Sequence, residues 1–228
     1  MSYFIDEDST NLDELQERLE ITDLIPSLRP LLDGLTEKMS ALKKIGMKSI
    51  ADLRSRMKSK KSLASLSDDS GINTDYLVLL RRAILGFFPK PQPLGAFNWL
   101  DMNILVKLNR VGVRDTRQLY EATSSDLDKL AGNAGLKKSD LSEFMALSDL
   151  SRIQWVSPVF ARVLVAAGFT SAALVATADS EALYEAIIRA NDKARFYKGR
   201  VGLRDIKRLI TAAAFVPPWR YDQALERD

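Results

Sequence analysis

Residues 154–169 read Gln154-Trp155-Val156-Ser157-Pro158-Val159-Phe160-Ala161-Arg162-Val163-Leu164-Val165-Ala166-Ala167-Gly168-Phe169. The pattern predicts a short hairpin, then a helix of about three turns, then a stop at Gly168. Two upstream stretches repeat it, residues 35–47 (LTEKMSALKKIGM) and residues 100–113 (LDMNILVKLNRVGV). We therefore predict that the chain is built from repeated helical units.

Glycines mark the register of this repeat. Gly46, Gly112 and Gly168 each follow a predicted helix, at a point where a left-handed backbone penalises a Cβ atom. Candidate caps for the next helix come soon after: Ser49, Asp115, and Thr170 or Ser171. A second set of glycines downstream consists of Gly71, Gly135 and Gly202. Successive marks are 56 to 67 residues apart, which suits about four or five short helices per unit.

The sequence predicts an all-α protein, because no stretch shows strand alternation bounded by turns. Residues 1–10 are acidic and aperiodic, as disordered segments are, and a helix is expected to follow them. The predicted segments are an acidic leader with a short helix (1–23), helical unit 1 (24–88), a Pro-rich linker (89–98), helical unit 2 (99–150), helical unit 3 fused to unit 2 (151–216) and a C-terminal tail (217–228).

Composition excludes several classes of function. The chain has no cysteine and no histidine, which removes disulfides, thiolate or imidazole metal ligands and histidine-based proton transfer. No tight cluster of carboxylates suggests a metal site, so we expect neither an enzyme nor a cofactor. The acidic N-terminus does not resemble a secretory signal, and no apolar run is long enough for a membrane span. A cytoplasmic protein without a membrane partner is the expectation.

The repeated pattern of helix, hairpin, helix, glycine stop and second helix pair resembles the helix-hairpin-helix superfamily, with SAM-like helical units. More narrowly, it resembles uncharacterised bacterial families built from tandem copies of that domain. The resemblance covers residues 24–215. It implies three tandem units and a class of proteins that often hold DNA without reading its sequence.

The hairpins depart from the pattern that this superfamily uses for phosphate binding, which is typically Gly-apolar-Gly. The equivalent positions here are residues 33–36, 98–101 and 154–157. Only the first keeps a glycine, Gly34, whereas Trp99 and Trp155 occupy a glycine position in the others. The first two hairpins also carry a carboxylate where a phosphate would sit. Phosphate binding is therefore not assigned to the hairpins. The two tryptophans are either exposed anchors for a partner or, as we favour, residues that seal the core.

Charge is unevenly distributed behind a net value of +3. Residues 1–36 carry nine acidic and two basic side chains, whereas residues 37–90 carry twelve basic and five acidic ones. Seven of these twelve basic side chains form what we call the first basic cluster: Lys43, Lys44, Arg54, Arg56, Lys58, Lys60 and Lys61. If they share a side, they form a groove for phosphates. In the alternative interpretation they form a solvated surface that balances the acidic leader.

A second basic cluster lies near the end of the chain. It consists of Arg189, Lys193, Arg195, Lys198, Arg200, Arg204, Lys207 and Arg208. Phe196 and Tyr197 lie among these cations, and cations beside aromatic faces are typical of nucleic-acid grooves. In the alternative interpretation both rings belong to the core of an inserted helix, and the arginines pair with Asp192, Asp205 or Glu185.

We therefore expect non-catalytic, sequence-independent binding of nucleic acid, either DNA or RNA, through the two basic clusters. The site residues of this hypothesis are Lys43, Lys44, Arg54, Arg56, Lys58, Lys60, Lys61, Arg195, Lys198, Arg200, Arg204, Lys207 and Arg208. The alternative is an adaptor or self-associating scaffold that presents helical faces to another protein. The acidic leader would mask a basic groove in the first case and dock a partner in the second.

Overall fold

The computed structural model describes residues 2–219, and the predicted tail lies outside them from residue 220 onward. These residues form helices and their connections, without a β-strand, which confirms the all-α prediction. The chain divides into two compact units. The smaller unit is Ile5–Phe88, and the larger unit combines Met1–Phe4 with Pro89–Asp228.

The smaller unit contains five α-helices around one core. They are α1 (Leu12–Ile21), α2 (Leu35–Lys44), α3 (Ile50–Arg56), α4 (Lys60–Ser70) and α5 (Thr74–Leu85), with a 3₁₀ helix at Pro26–Leu32. Helix α1 begins at a capping box. The Asn11 side chain accepts hydrogen bonds from the backbone N–H groups of Asp13 and Glu14, and the Glu14 side chain accepts one from the Asn11 N–H. Its apolar face is buried in the core of this unit through Leu12, Leu15 and Leu19.

Residues 2–10 have fixed positions, so the prediction that residues 1–10 are disordered is wrong for them. In the smaller unit the carbonyl oxygens of Glu7 and Thr10 accept hydrogen bonds from Ala51 and Ile50, at 2.9 and 3.0 Å. The composition of this segment does not reveal its ordered position, because hydrogen bonds from residues distant in sequence hold it. The segment has no periodic spacing of apolar residues that would indicate structure.

The described part of the larger unit contains seven α-helices. They are α6 (Met102–Arg110), α7 (Thr116–Ala134), α8 (Lys138–Leu150), α9 (Pro158–Ala166), α10 (Ala172–Ala176), α11 (Ser180–Ala194) and α12 (Leu203–Ala214), and a 3₁₀ helix spans Leu94–Ala96. Helix α7 is kinked at Asp126, whose backbone is extended. Helix α8 is the central helix, because every residue from Phe144 to Leu150 is buried. The predicted units 2 and 3 both contribute to this one core.

The glycine stops behave as the sequence predicts. Gly46, Gly112 and Gly168 have φ angles of 88°, 87° and 90°, in the left-handed region. The next helix in each case is capped by a side chain, that of Ser49, Asp115 or Ser171, which accepts a hydrogen bond from a backbone N–H of the first turn. The local repeat is therefore present in the structure, while its grouping into three helix-hairpin-helix units stays an interpretation.

Gly202 differs in backbone conformation from Gly71 and Gly135, the other glycines of the second set. Gly71 and Gly135 end α4 and α7 in the left-handed conformation, whereas Gly202 has a φ of −107° and precedes α12. The left-handed residue that ends α11 is Arg195, with a φ of 52°.

A buried ion pair organises the centre of the larger unit. The Arg152 and Asp149 side chains are 1% and 3% exposed, and Arg152 Nη1 lies 2.5 Å from Asp149 Oδ1. Asp149 Oδ2 accepts from the backbone N–H of Ala172 at the start of α10, at 2.7 Å. Arg152 also donates to the carbonyl oxygens of Tyr3 and Pro217, at 3.0 and 2.6 Å. One side-chain pair therefore fixes both Tyr3 and Pro217.

Tyr3 is held in the larger unit by its side chain as well. Its hydroxyl forms a hydrogen bond with Thr116 Oγ1 at 2.7 Å, and its ring meets that of Tyr120 edge-on at 5.4 Å. The Tyr120 hydroxyl donates to the Ser2 carbonyl oxygen at 3.0 Å. Burial raises the pKa of the Tyr3 phenol to about 12. The first described residues are thus part of the core of the larger unit.

Candidate nucleic-acid interface

The first basic cluster lies wholly in the smaller unit, and three of its members form ion pairs there. Lys43 pairs with Asp13, Arg54 with Glu7 and Arg56 with Asp69. Two of these carboxylates belong to the leader, as the charge-balancing interpretation expects. Arg54 also lies over the ring of Phe88, with its guanidinium carbon 4.0 Å from the ring centre.

The remaining members of the first cluster are exposed: Lys44, Lys58, Lys60 and Lys61. Three of these lysines surround Ser59, which caps α4. Cations at a helix N-terminus repel its positive dipole end, so the cluster gains no stabilisation from its own helix. This concentration of positive charge is therefore not explained by helix stability.

The second basic cluster lies wholly in the larger unit, around an unusually long connection. Helices α4 and α5, like α7 and α8, are joined by a left-handed glycine and two further residues. Between α11 and α12, left-handed Arg195 is followed by seven residues before Leu203. We call residues 195–202 the basic loop. It is not the inserted helix of the alternative interpretation, because these residues are not helical.

The basic loop is held in one conformation by hydrogen bonds and ring contacts. Asn191 Nδ2 donates to the Tyr197 carbonyl oxygen and Asn191 Oδ1 accepts from the Tyr197 N–H, both at 2.8 Å. The Tyr197 ring meets that of Phe160 at 5.3 Å, and the Arg162 guanidinium lies 3.8 Å from the centre of the Phe196 ring. Phe196 and Tyr197 thus pack against the core, as the alternative interpretation expects, and serve to fix the loop.

Gly199 is required by the position of the Tyr197 ring. A Cβ atom at residue 199 would lie 2.5 to 2.6 Å from ring atoms of Tyr197, closer than non-bonded carbons approach. The ring therefore covers the loop backbone at this point. Beside it, a cleft of about 310 Å³ is lined by Phe160, Ile187, Tyr197 and Arg200.

The cations of the basic loop differ in their partners from those on the flanking helices. Arg189 pairs with Glu185 at 3.3 Å and Arg208 with Asp205 at 3.8 Å, as the alternative interpretation allows. Arg195, Lys198 and Arg200 are exposed and form no ion pair with any residue of 2–219. Lys193, Arg204 and Lys207 are also exposed.

The start of α12 is capped by a side chain of the same helix, that of Asp205. The Gly202 N–H donates to Asp205 Oδ2 at 3.0 Å, so a carboxylate already faces this helix end. The backbone N–H groups at a helix start can bind an anion, but here the Asp205 carboxylate already accepts from one of them. The cationic side chains, rather than the backbone, are what the loop offers to a ligand.

The two hairpin tryptophans have different environments. Trp99 is partly buried, stacks edge-on with Phe97 at 5.7 Å and lies under the Arg162 guanidinium at 4.7 Å. Its indole Nε1 is buried without a hydrogen-bond partner among residues 2–219. The core interpretation thus fits Trp99. It is wrong for Trp155, which is 51% exposed and has a φ of 71°.

Trp155 occupies a backbone conformation that suits glycine. Gly34, its counterpart in the first hairpin, is also left-handed, with a φ of 59°. For a residue with a Cβ atom this conformation costs about 1–2 kcal/mol. The alignment of the three hairpins places Trp155 at a glycine position, but no pattern in the neighbouring residues indicates that its ring is exposed.

The fold and the surface together define an all-α protein with a rigid basic loop. The family described as "Domain of unknown function (DUF4332)" matches residues 103–215, which include Trp155, the basic loop and nearly all of α6 to α12. The expected similarity to an uncharacterised family is confirmed over this range. Neither curated proteins nor solved structures gave a match.

Residues 2–219 also bear on two other classes of protein, those that span a membrane and those that hold a metal ion. No helix among them combines the length and apolar character that a membrane crossing needs. The same residues contain no group of three or more potential metal-ligating side chains of His, Cys, Asp or Glu. Cytoplasmic location and the absence of catalysis stay predictions.

Proposed function

We propose that this protein binds nucleic acid without sequence preference, mainly through the second basic cluster of the larger unit. The observation that carries the proposal is the basic loop, a connection longer than its counterparts and hydrogen-bonded to Asn191, whose three exposed cations form no ion pair within residues 2–219. Residues 189–208 carry eight basic and two acidic side chains. Such a surface attracts phosphates wherever they lie along a strand, which favours backbone contacts over base reading.

The rigidity of the loop favours binding. Asn191, Phe160 and Gly199 fix Tyr197, and thereby the backbone that carries Lys198 and Arg200. A surface that is already ordered loses less conformational entropy when a ligand binds. In addition, no ion pair with another residue of 2–219 must be broken before Lys198 or Arg200 contacts a phosphate.

The test is fluorescence anisotropy of a labelled single strand and a labelled duplex, each at two salt concentrations. The variant Lys198→Glu/Arg200→Glu should weaken binding strongly and lower its salt dependence, because each lost phosphate contact removes about 0.7–0.9 from the slope of log K against log salt. The control Arg117→Glu/Lys129→Glu makes the same change in net charge on α7. Absence of salt-sensitive binding, or equal loss in the control, would refute the proposal.

The first basic cluster requires a separate variant. Deleting the leader would remove Leu12, Leu15 and Leu19 from the core, so a truncation cannot distinguish masking from unfolding. The pair Glu7→Gln/Asp13→Asn instead releases Arg54 and Lys43 and keeps the fold. Tighter binding at low salt would show that the leader masks this cluster, whereas unchanged affinity would confine the site to the larger unit.

An adaptor role is the second candidate, favoured by an apolar pair on α6. Met102 and Val106 are 56% and 44% exposed and lie four residues apart, on the same face of the helix. Neighbouring exposed apolar side chains are typical of contact surfaces between proteins. If Met102→Glu/Val106→Lys converted an oligomer to a monomer in sedimentation experiments, this role would be supported. No change would count against self-association through this face.

A further inference from the structure

The most unusual side chain on the surface of the larger unit is that of Trp155. Its backbone is left-handed, although it carries a large side chain, and about half of that side chain is exposed. Strained backbone conformations persist where the surroundings enforce them, and they concentrate at functional sites. A glycine would satisfy the same backbone without strain, as Gly34 does in the first hairpin. The indole is therefore not needed for the turn.

Neighbouring residues hold the backbone of Trp155 in place. Ile153 and Val156 are buried on either side of the turn, and the Val156 N–H donates to the Ile153 carbonyl oxygen at 3.2 Å. Immediately afterwards Ser157 caps α9 by accepting from the Phe160 N–H at 3.2 Å. The turn is thus anchored at both ends. A ring held out from a fixed backbone loses little entropy on stacking against a ligand.

The chain limits how far Trp155 can lie from the basic loop. Phe160, five residues later, meets Tyr197 of the loop at 5.3 Å. Five residues span at most about 18 Å when fully extended, and less where α9 begins. An exposed indole and the cations Lys198 and Arg200 therefore lie within the reach of one short strand. The combination of a π face with cations matches a ligand that carries both bases and phosphates.

We propose that Trp155 is a stacking platform for a base of single-stranded nucleic acid whose phosphates contact the basic loop. This inference rests on the proposed function and narrows its ligand. In a duplex the bases stack on one another and leave no face for an indole, so stacking selects a single strand. Because every base has a π face, the contact adds affinity without requiring a particular sequence.

The variant Trp155→Gly separates this role from folding. Glycine relieves the left-handed strain, so its melting temperature should equal or exceed that of the parent protein. Its affinity for a labelled oligothymidylate of fifteen nucleotides should fall about ten-fold or more, while its affinity for a fifteen-base-pair duplex stays within about two-fold. Trp155→Phe keeps a π face and should recover much of the lost affinity.

Tryptophan fluorescence gives a second readout. Trp99 and Trp219 are partly and fully buried, so quenching by a bound oligothymidylate should come from Trp155 and disappear in Trp155→Gly. If Trp155→Gly binds the single strand as tightly as the parent, or the parent binds without quenching, the stacking role is refuted and the proposed function stands. If the parent binds neither nucleic acid, both fail. Loss of an oligomer in Trp155→Gly with unchanged affinity would overturn the stacking role and indicate a protein interface.

Discussion

Replacing Arg152 with methionine should lower the free energy of unfolding of the larger unit by about 3–5 kcal/mol. Methionine keeps much of the volume of the side chain but removes the charge that pairs with Asp149, whose side chain is 3% exposed. The carbonyl oxygens of Tyr3 and Pro217 lose a donor as well. Removing one partner of a buried ion pair costs far more than the net value of one hydrogen bond.

The three tryptophans make this measurement specific to the larger unit. Trp99, Trp155 and Trp219 all lie in it, and the smaller unit contains none. Urea unfolding followed by tryptophan fluorescence should show a midpoint lower by about 2 M, for a slope near 2 kcal/mol per M. The matched control is Arg189→Met, which removes an exposed pair with Glu185 and should cost less than about 1 kcal/mol. If Arg152→Met and Arg189→Met unfold at the same urea concentration, the structural role of the buried pair is refuted.

Three further predictions test other parts of the fold. Gly199→Ala should destabilise the larger unit by about 1–3 kcal/mol, because the new Cβ atom meets the Tyr197 ring. Its control Gly132→Ala places a Cβ atom in open space on α7 and should stabilise the unit by up to about 1 kcal/mol. Equal urea midpoints for the two variants would contradict this. The pKa of Tyr3 is raised from 10.0 to about 12, so its phenol adds stability that is present below pH 10 and lost as pH rises toward 12. In unfolding followed by tryptophan fluorescence, Tyr3→Phe should therefore lose less stability over this pH range than the parent protein. Parallel curves of stability against pH would argue against a buried phenol. Asn11→Ala removes the cap of α1 and should cost the smaller unit about 1 kcal/mol by circular dichroism, and no loss would show that the cap is dispensable.

Local signals in the sequence were enough to predict much of the helical framework. Helix α9 lies between the hairpin residues and Gly168, as predicted, and Gly46, Gly112 and Gly168 adopt the predicted left-handed conformation. Both features depend on a few adjacent residues: apolar spacing for the helix, and the missing Cβ for the stop. Such preferences act before any tertiary contact forms, so one sequence reveals them.

Contacts between distant residues explain what the sequence could not reveal. Tyr3 lies in an acidic, aperiodic segment, and its partner Arg152 is 149 residues away. Gly202 belongs with Gly71 and Gly135 in the sequence, yet the left-handed residue between α11 and α12 is Arg195, which no glycine marks. The basic cluster at residues 189–208 was visible as composition, whereas its fixed loop depends on Asn191 and Phe160, which only the fold brings to Tyr197.

The position of Tyr3 has a consequence for the order in which the chain folds during synthesis. The ribosome adds Arg152 149 residues after Tyr3, roughly 7 to 30 s later at ordinary elongation rates. All of the smaller unit, which has its own core, is made during that interval. Its folding can therefore begin while Tyr3 and Phe4 still lack their binding site. The nascent chain carries these two aromatic side chains unburied at least until Arg152 has been made.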